Sequence, residues 1–117
     1  MRVQLQGGHP ALGFIRPLLG RNFELVDAGG SPKALVVFGP TTTVPQSVDR
    51  IVLVTDEPTP AISRVRTLVI GATPPAGVAS HARLDTGHPA ELLSLIDGFL
   101  RYPERFPAGG TREAAAV

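Results

Sequence analysis

Five short runs rich in aliphatic and β-branched residues recur along this chain, at Val3 to Gln6, Phe23 to Val26, Ala34 to Phe38, Ile51 to Thr55 and Thr67 to Ile70, and Gly or Asp closes each one. Their length and composition predict strands. Three of them, ALVVF, IVLVT and TLVI, are apolar almost without a break. Such a strand needs cover on both faces, which is the situation of a parallel sheet in an α/β layer structure. RVQLQ differs, because Gln4 and Gln6 alternate with Val3 and Leu5 as in a strand with one half-exposed face.

Two helices are predicted. One runs from about Pro10 to Gly20, with Leu12, Ile15, Leu18 and Leu19 spaced as one face. Pro17 opposes the carbonyl of Gly13, so this helix bends or ends early. The other runs from Pro89 to about Arg101, with Leu92, Leu95, Ile96 and Phe99 on one face and Pro103 as its stop. The segments TTTVPQSVD and DEPTPAISRV, between the later strands, are too short for ordinary crossover helices. Part of the sheet is therefore expected to lack helical cover. The six residues Ala28 to Lys33 span only about 20 Å when fully extended, which leaves a local hairpin through GGSPK or a parallel crossover open.

With 117 residues the chain makes one domain. Residues 1–110 are read as a single domain and 111–117 as a flexible tail. No cysteine is present, which excludes disulfides, a thiolate nucleophile and Cys-ligated metal. A net charge of +1 gives no footprint for nucleic acid or membrane. The chain contains neither an apolar leader-like start nor a run of about 18 apolar residues, so a cytoplasmic protein is expected.

MRVQLQGGHPALG, a strand entering a glycine turn and a helix, resembles the opening of the short-chain dehydrogenase/reductase family, a strand followed by T-G-x-x-x-G-x-G. Gly7 and Gly13 hold the outer positions, while Gln6 replaces the Thr and Ala11 the middle Gly. FELVD resembles that family's second strand with its terminal acid at Asp27. KALVVFGPTT, DRIVLVTDEP and RVRTLVIGATPP resemble later strands, and GHPAELLSLIDGFLRYPERFPAGGT the late helix. The resemblance implies a pared-down Rossmann-like α/β fold with few helices and a mainly parallel sheet of about five strands, the first strand central. It also implies a dinucleotide cradle at Gly7, Gly8, Ala11 and Gly13, with Asp27 on the adenosine ribose and NAD as the cofactor it would take.

The departures bear on function. The family's acid/base Tyr with a Lys four residues on has no counterpart, since the one Tyr is Tyr102, the one Lys is Lys33, and Phe106 stands four residues after Tyr102. No catalytic residue is assigned, and NAD is not expected as a working cofactor. His9, His81 and His88 are not at metal-ligand spacing, and His81 is read as part of a Gly/Ala-rich loop. Asp56, Glu57 and Thr41 to Thr43 follow strands but are read as turn residues. A second resemblance, to a degenerate α/β-hydrolase, lacks its G-x-S-x-G elbow. The expectation is a non-catalytic, reductase-like pseudoenzyme serving as a structural or regulatory partner, as a homo-oligomer or beside a related reductase. The alternative is a small nucleotide-binding protein that uses the Gly7 to Gly13 turn.

Overall fold

The computed structural model describes residues 1–7, 12–39, 44–56, 65–71, 80–83, 89–106 and 111–113. In chain order they form β1 (Arg2–Gly7), α1 (Leu12–Leu19), β2 (Glu24–Leu25), β3 (Ala34–Phe38), β4 (Arg50–Val54), β5 (Arg66–Ile70), β6 (Ser80–Arg83), α2 (Pro89–Arg101) and β7 (Thr111–Glu113). All strands join one sheet in the order β2-β1-β3-β4-β5-β6-β7, and every neighbouring pair is parallel. This is a Rossmann-like α/β arrangement. The five expected runs are all strands, but the sheet has seven, because SHAR and TRE also pair. His81 therefore lies in a strand and not in a loop. β1 sits between β2 and β3, yet it is only second from one edge. The expected tail begins with β7, and residues 114–117 lie outside the described ones.

Alternation along the strands sorts the side chains into two layers. Val3, Ala34, Val36, Phe38, Val52, Leu68, Ile70 and Ala82 face α1 and α2 in one core. Helix α2 spans the predicted range and buries Leu92, Leu95, Ile96, Phe99 and Leu100 there. Each such side chain contributes about 1.5–3 kcal/mol. Helix α1 ends at Leu19, soon after Pro17, and buries Ile15 and Leu19. The opposite face carries Leu35, Val37, Ile51, Leu53 and Val69, buried under Val48 and Val65 with Val44 packed against them. Connecting segments thus do the work of helices on that face, and none of its apolar strand residues remains exposed among the described residues.

The question of a hairpin after β2 resolves toward a crossover. β2 pairs only with Arg2 and Val3, and β3 starts opposite Val3. Both lie level with the start of β1, so the connector has no sheet length to climb. It turns through a 3-10 segment, Ala28–Gly30, and through Ser31 in the left-handed region (φ 53°). The Arg2 guanidinium donates to the Gly30 carbonyl (3.1 Å), and the Lys33 amide donates to the Arg2 carbonyl (2.8 Å). By alternation Arg2 faces away from the helices, so the connector crosses the helix-free face.

The α2 crossover has the opposite hand to its fellows. The step β3 to β4 runs in the direction of β6 to β7, yet its connecting residues Val44 and Val48 lie on the face opposite α2. The step β1 to β2 runs the other way with its helix on the α2 face, which gives it the hand of the former. Because about 98% of such crossovers are right-handed, α2 makes the left-handed one. Its consequence is two helices on one face and none among the described residues on the other.

Backbone fit is tightest where β5 ends. A Cβ on Gly71 would overlap the Thr55 carbonyl oxygen, whereas one on Gly98 in α2 would meet only the Phe106 ring at 3.7 Å. We therefore predict that Gly71→Ala costs about 3 kcal/mol in urea unfolding, while Gly98→Ala stabilises by about 0.5–1 kcal/mol. Equal and small effects at the two positions would refute this picture of the strand ends.

Candidate functional site

In a parallel α/β sheet, ligands bind outside the carboxyl ends of the strands, where neighbouring connections leave in opposite directions. Here that switch lies at β1, flanked by β2 and β3. The sheet's carboxyl edge is built from Gly7, Gly39, Thr55 with Asp56, and Gly71, which end β1, β3, β4 and β5 or follow them directly. The ladder continues through them: the amides of Gly39, Thr55 and Gly71 donate to the carbonyls of Val54, Ile70 and Ala82 at 3.0, 3.0 and 3.1 Å. The edge is held by backbone hydrogen bonds, and besides Gly71 its other two glycines also have local reasons to be glycine. Gly7 has φ +114°, and a Cβ there would lie 2.5 Å from the Phe38 carbonyl oxygen; Gly39 has φ +134°. L-residues are strained in that region.

Gly13 has no such reason, as nothing lies within 4 Å of a Cβ built on it. In a dinucleotide fingerprint the third glycine lets the helix pack closely on its strand. That close approach does not occur at Gly13. Asp27 is exposed and extended (φ −89°, ψ −178°). Continuing the Val3↔Leu25 register puts it level with Leu5, two residues or about 7 Å short of Gly7. That register leaves the acid below the glycine edge. Gly8 and Ala11 lie outside the described residues, as do His9, His88, Glu57 and the Thr41 to Thr43 run.

His81 is buried on β6, and its Nε2 lies 2.8 Å from the Gly71 carbonyl oxygen. As that oxygen only accepts, Nε2 carries the proton. The imidazole thereby ties β6 to the end of β5, beside the point where Gly71 meets Thr55 and Asp56. Ser80 Oγ donates to the Phe106 carbonyl (2.6 Å) and Ser47 Oγ to the Pro32 carbonyl (2.6 Å), so both hydroxyls serve the connectors. Among the described residues no three His, Asp or Glu side chains form a metal-binding group, and no helix is long and apolar enough to cross a membrane.

Tyr102 and Lys33 stand at the other end of the molecule. Arg50, the first residue of β4, donates to the Leu100 carbonyl, which places the end of α2 and the following Tyr102 at the amino edge of the sheet. The Arg105 guanidinium covers the Tyr102 ring, 4.5 Å from its centroid. Lys33 precedes β3 on the same edge, its Nζ 3.9 Å from Asp49, which also holds Arg50 at 2.8 Å.

One polar residue was misread from sequence. Gln4 is only 9% exposed, and its Oε1 finds no hydrogen-bond partner among the described residues. The alternation of RVQLQ pointed to a half-exposed face; the connector over that face closes it. No signal within the strand itself announces this, because the cover comes from residues more than twenty positions away.

Comparison with known proteins returned no matching family model, no matching curated protein and no matching solved structure.

The contrast between glycines is measurable. We predict that Gly7→Ala lowers thermal stability by about 2–3 kcal/mol, whereas Gly13→Ala raises it by up to about 1 kcal/mol. A stabilised Gly7→Ala protein would show that the positive φ does not constrain the turn.

Proposed function

We propose that this chain is a non-catalytic, short-chain dehydrogenase/reductase-like subunit that works in the cytoplasm as a structural or regulatory partner, with a related reductase or with copies of itself. The observation that carries the reading is the position of Tyr102 and Lys33 at the amino edge of the sheet, opposite the glycine-lined carboxyl edge. A phenol and an ammonium group there have no access to a substrate at the β1 switch. Proton transfer by a positioned group supplies about 10²–10⁴ in rate, and hydride chemistry at that edge forgoes it.

The contact surface differs from the one the apolar strands imply. Leu92, Leu95, Ile96 and Phe99 are spent on the chain's own core and are not free for a partner. Beside the terminal Met1, Phe14, 46% exposed on α1, and Tyr102, 45% exposed after α2, are the exposed large apolar side chains among the described residues. They are the residues assigned here to subunit contact.

A second reading keeps nucleotide binding at the Gly7 turn. It is favoured by the position of Gly7 at the switch point of the sheet and weakened by the open surroundings of Gly13 and the low position of Asp27.

The expected outcome is no NAD- or NADP-dependent turnover of carbonyls or alcohols, and a sedimenting species heavier than 12.3 kDa, alone or with a reductase, that Phe14→Ser shifts toward the free chain. Turnover that survives Tyr102→Phe and Lys33→Ala would overturn the non-catalytic reading. Micromolar NAD affinity lost in Asp27→Ala would favour the second.

A further inference from the structure

The chain carries a net charge of only +1, but the fold gathers arginines at one end. Arg50 opens β4 and Arg66 opens β5, and the two are partners in the sheet register, so their side chains leave on one face. Arg50 reaches the Leu100 carbonyl, which makes that face the α2 side. The end of α2 brings Arg101 to the Phe23 ring, 5.2 Å from its centroid, and the turn that follows lays Arg105 over Tyr102. Four guanidinium groups thus meet a half-exposed phenol ring at the amino end of the helix side. Asp49 and Asp97 engage Arg50 and Arg101, whereas Arg66 and Arg105, both exposed, have no ion pair among the described residues.

The planar fork of Arg holds a carboxylate through two parallel hydrogen bonds, and Arg and Tyr are enriched where protein surfaces meet while Lys is depleted. Asp49, Asp97 and Glu104 stand among these arginines. Such a mixed pattern repels the evenly charged backbone of a nucleic acid but accommodates the discrete carboxylates of a protein. A two-fold contact through this end would set Arg66 and Arg105 against those of a second copy, so the occupant is a different chain. Resting on the reading of the chain as a partner subunit, we propose that the amino end of the sheet docks a protein with an acidic face. Its carboxylates pair with Arg66 and Arg105, and an apolar seat takes the part of the Tyr102 ring that Arg105 leaves uncovered.

The probe is a labelled peptide alternating Glu with Leu, titrated with the full chain and read by fluorescence anisotropy. It is expected to bind at low salt and to weaken as salt rises through the physiological range. Arg66→Glu combined with Arg105→Glu should cost on the order of tenfold or more in affinity, and Tyr102→Ala on the order of tenfold with the salt dependence retained. Arg83→Glu, an equally exposed site at the carboxyl end of β6, should leave binding unchanged. All these positions are on the surface, and circular dichroism checks that each variant is folded. Absence of peptide binding, equal binding of the version with Lys in place of Glu, or an equal loss in Arg83→Glu would each overturn the proposal. So would tighter binding of a labelled oligothymidylate through the same arginines, which would assign this end to nucleic acid. Self-association of the chain that Arg66→Glu abolishes would place a second copy there and overturn it likewise. NAD-dependent turnover would refute the subunit reading without moving any of these affinities, so the two failures are separable.

Discussion

Everything in this fold follows from strands that are apolar on both sides in a chain with only two described helices, both packed on the same side. β3 has all five residues buried, and β4 and β5 are buried through their centres. A parallel sheet of this kind ordinarily receives a helix with each crossover. Here the left-handed passage through α2 brings both helices to one face, where they touch each other and share one core. The second face is closed by Val44, Val48 and Val65, residues of connectors. The exposed apolar patch that would have forced association is absent among the described residues, so any partner must be recruited by other surfaces.

The carboxyl edge, where a site is sought first, is dominated by fit between main chains. Gly7 against Phe38 and Gly71 against Thr55 are approaches that any side chain would block. Such glycines look like a ligand cradle in the sequence, but here the atoms they admit belong to the neighbouring strand. Gly39 is held to glycine by its positive φ alone, and Gly13, with neither a positive φ nor a close neighbour, faces open space.

Much of the architecture was legible because burial on two faces writes itself as continuous apolar runs. ALVVF was located to the residue, and so was the Pro89–Arg101 helix, whose 3.6-residue spacing and proline boundaries leave little latitude. SHAR and TRE were missed because their pairing rests on main-chain hydrogen bonds and on position, with His, Arg and Glu in the strands themselves. The level of Asp27 was equally invisible. FELVD reads as a four- or five-residue strand, but the chain leaves the sheet after Leu25 to reach Lys33, and the acid leaves with it.

That early departure of β2 has a further effect on chemistry. A β2 with two more residues before its acid would bring that acid level with Gly7 and send the next connection around the top of the sheet. A two-residue β2 sends it across the helix-free face at the level of Arg2, directly beneath Gln4. The polar side chain that alternation had prepared for water is then enclosed without a donor among the described residues. An aliphatic residue at that position would be cheaper by the cost of the unpaired acceptor.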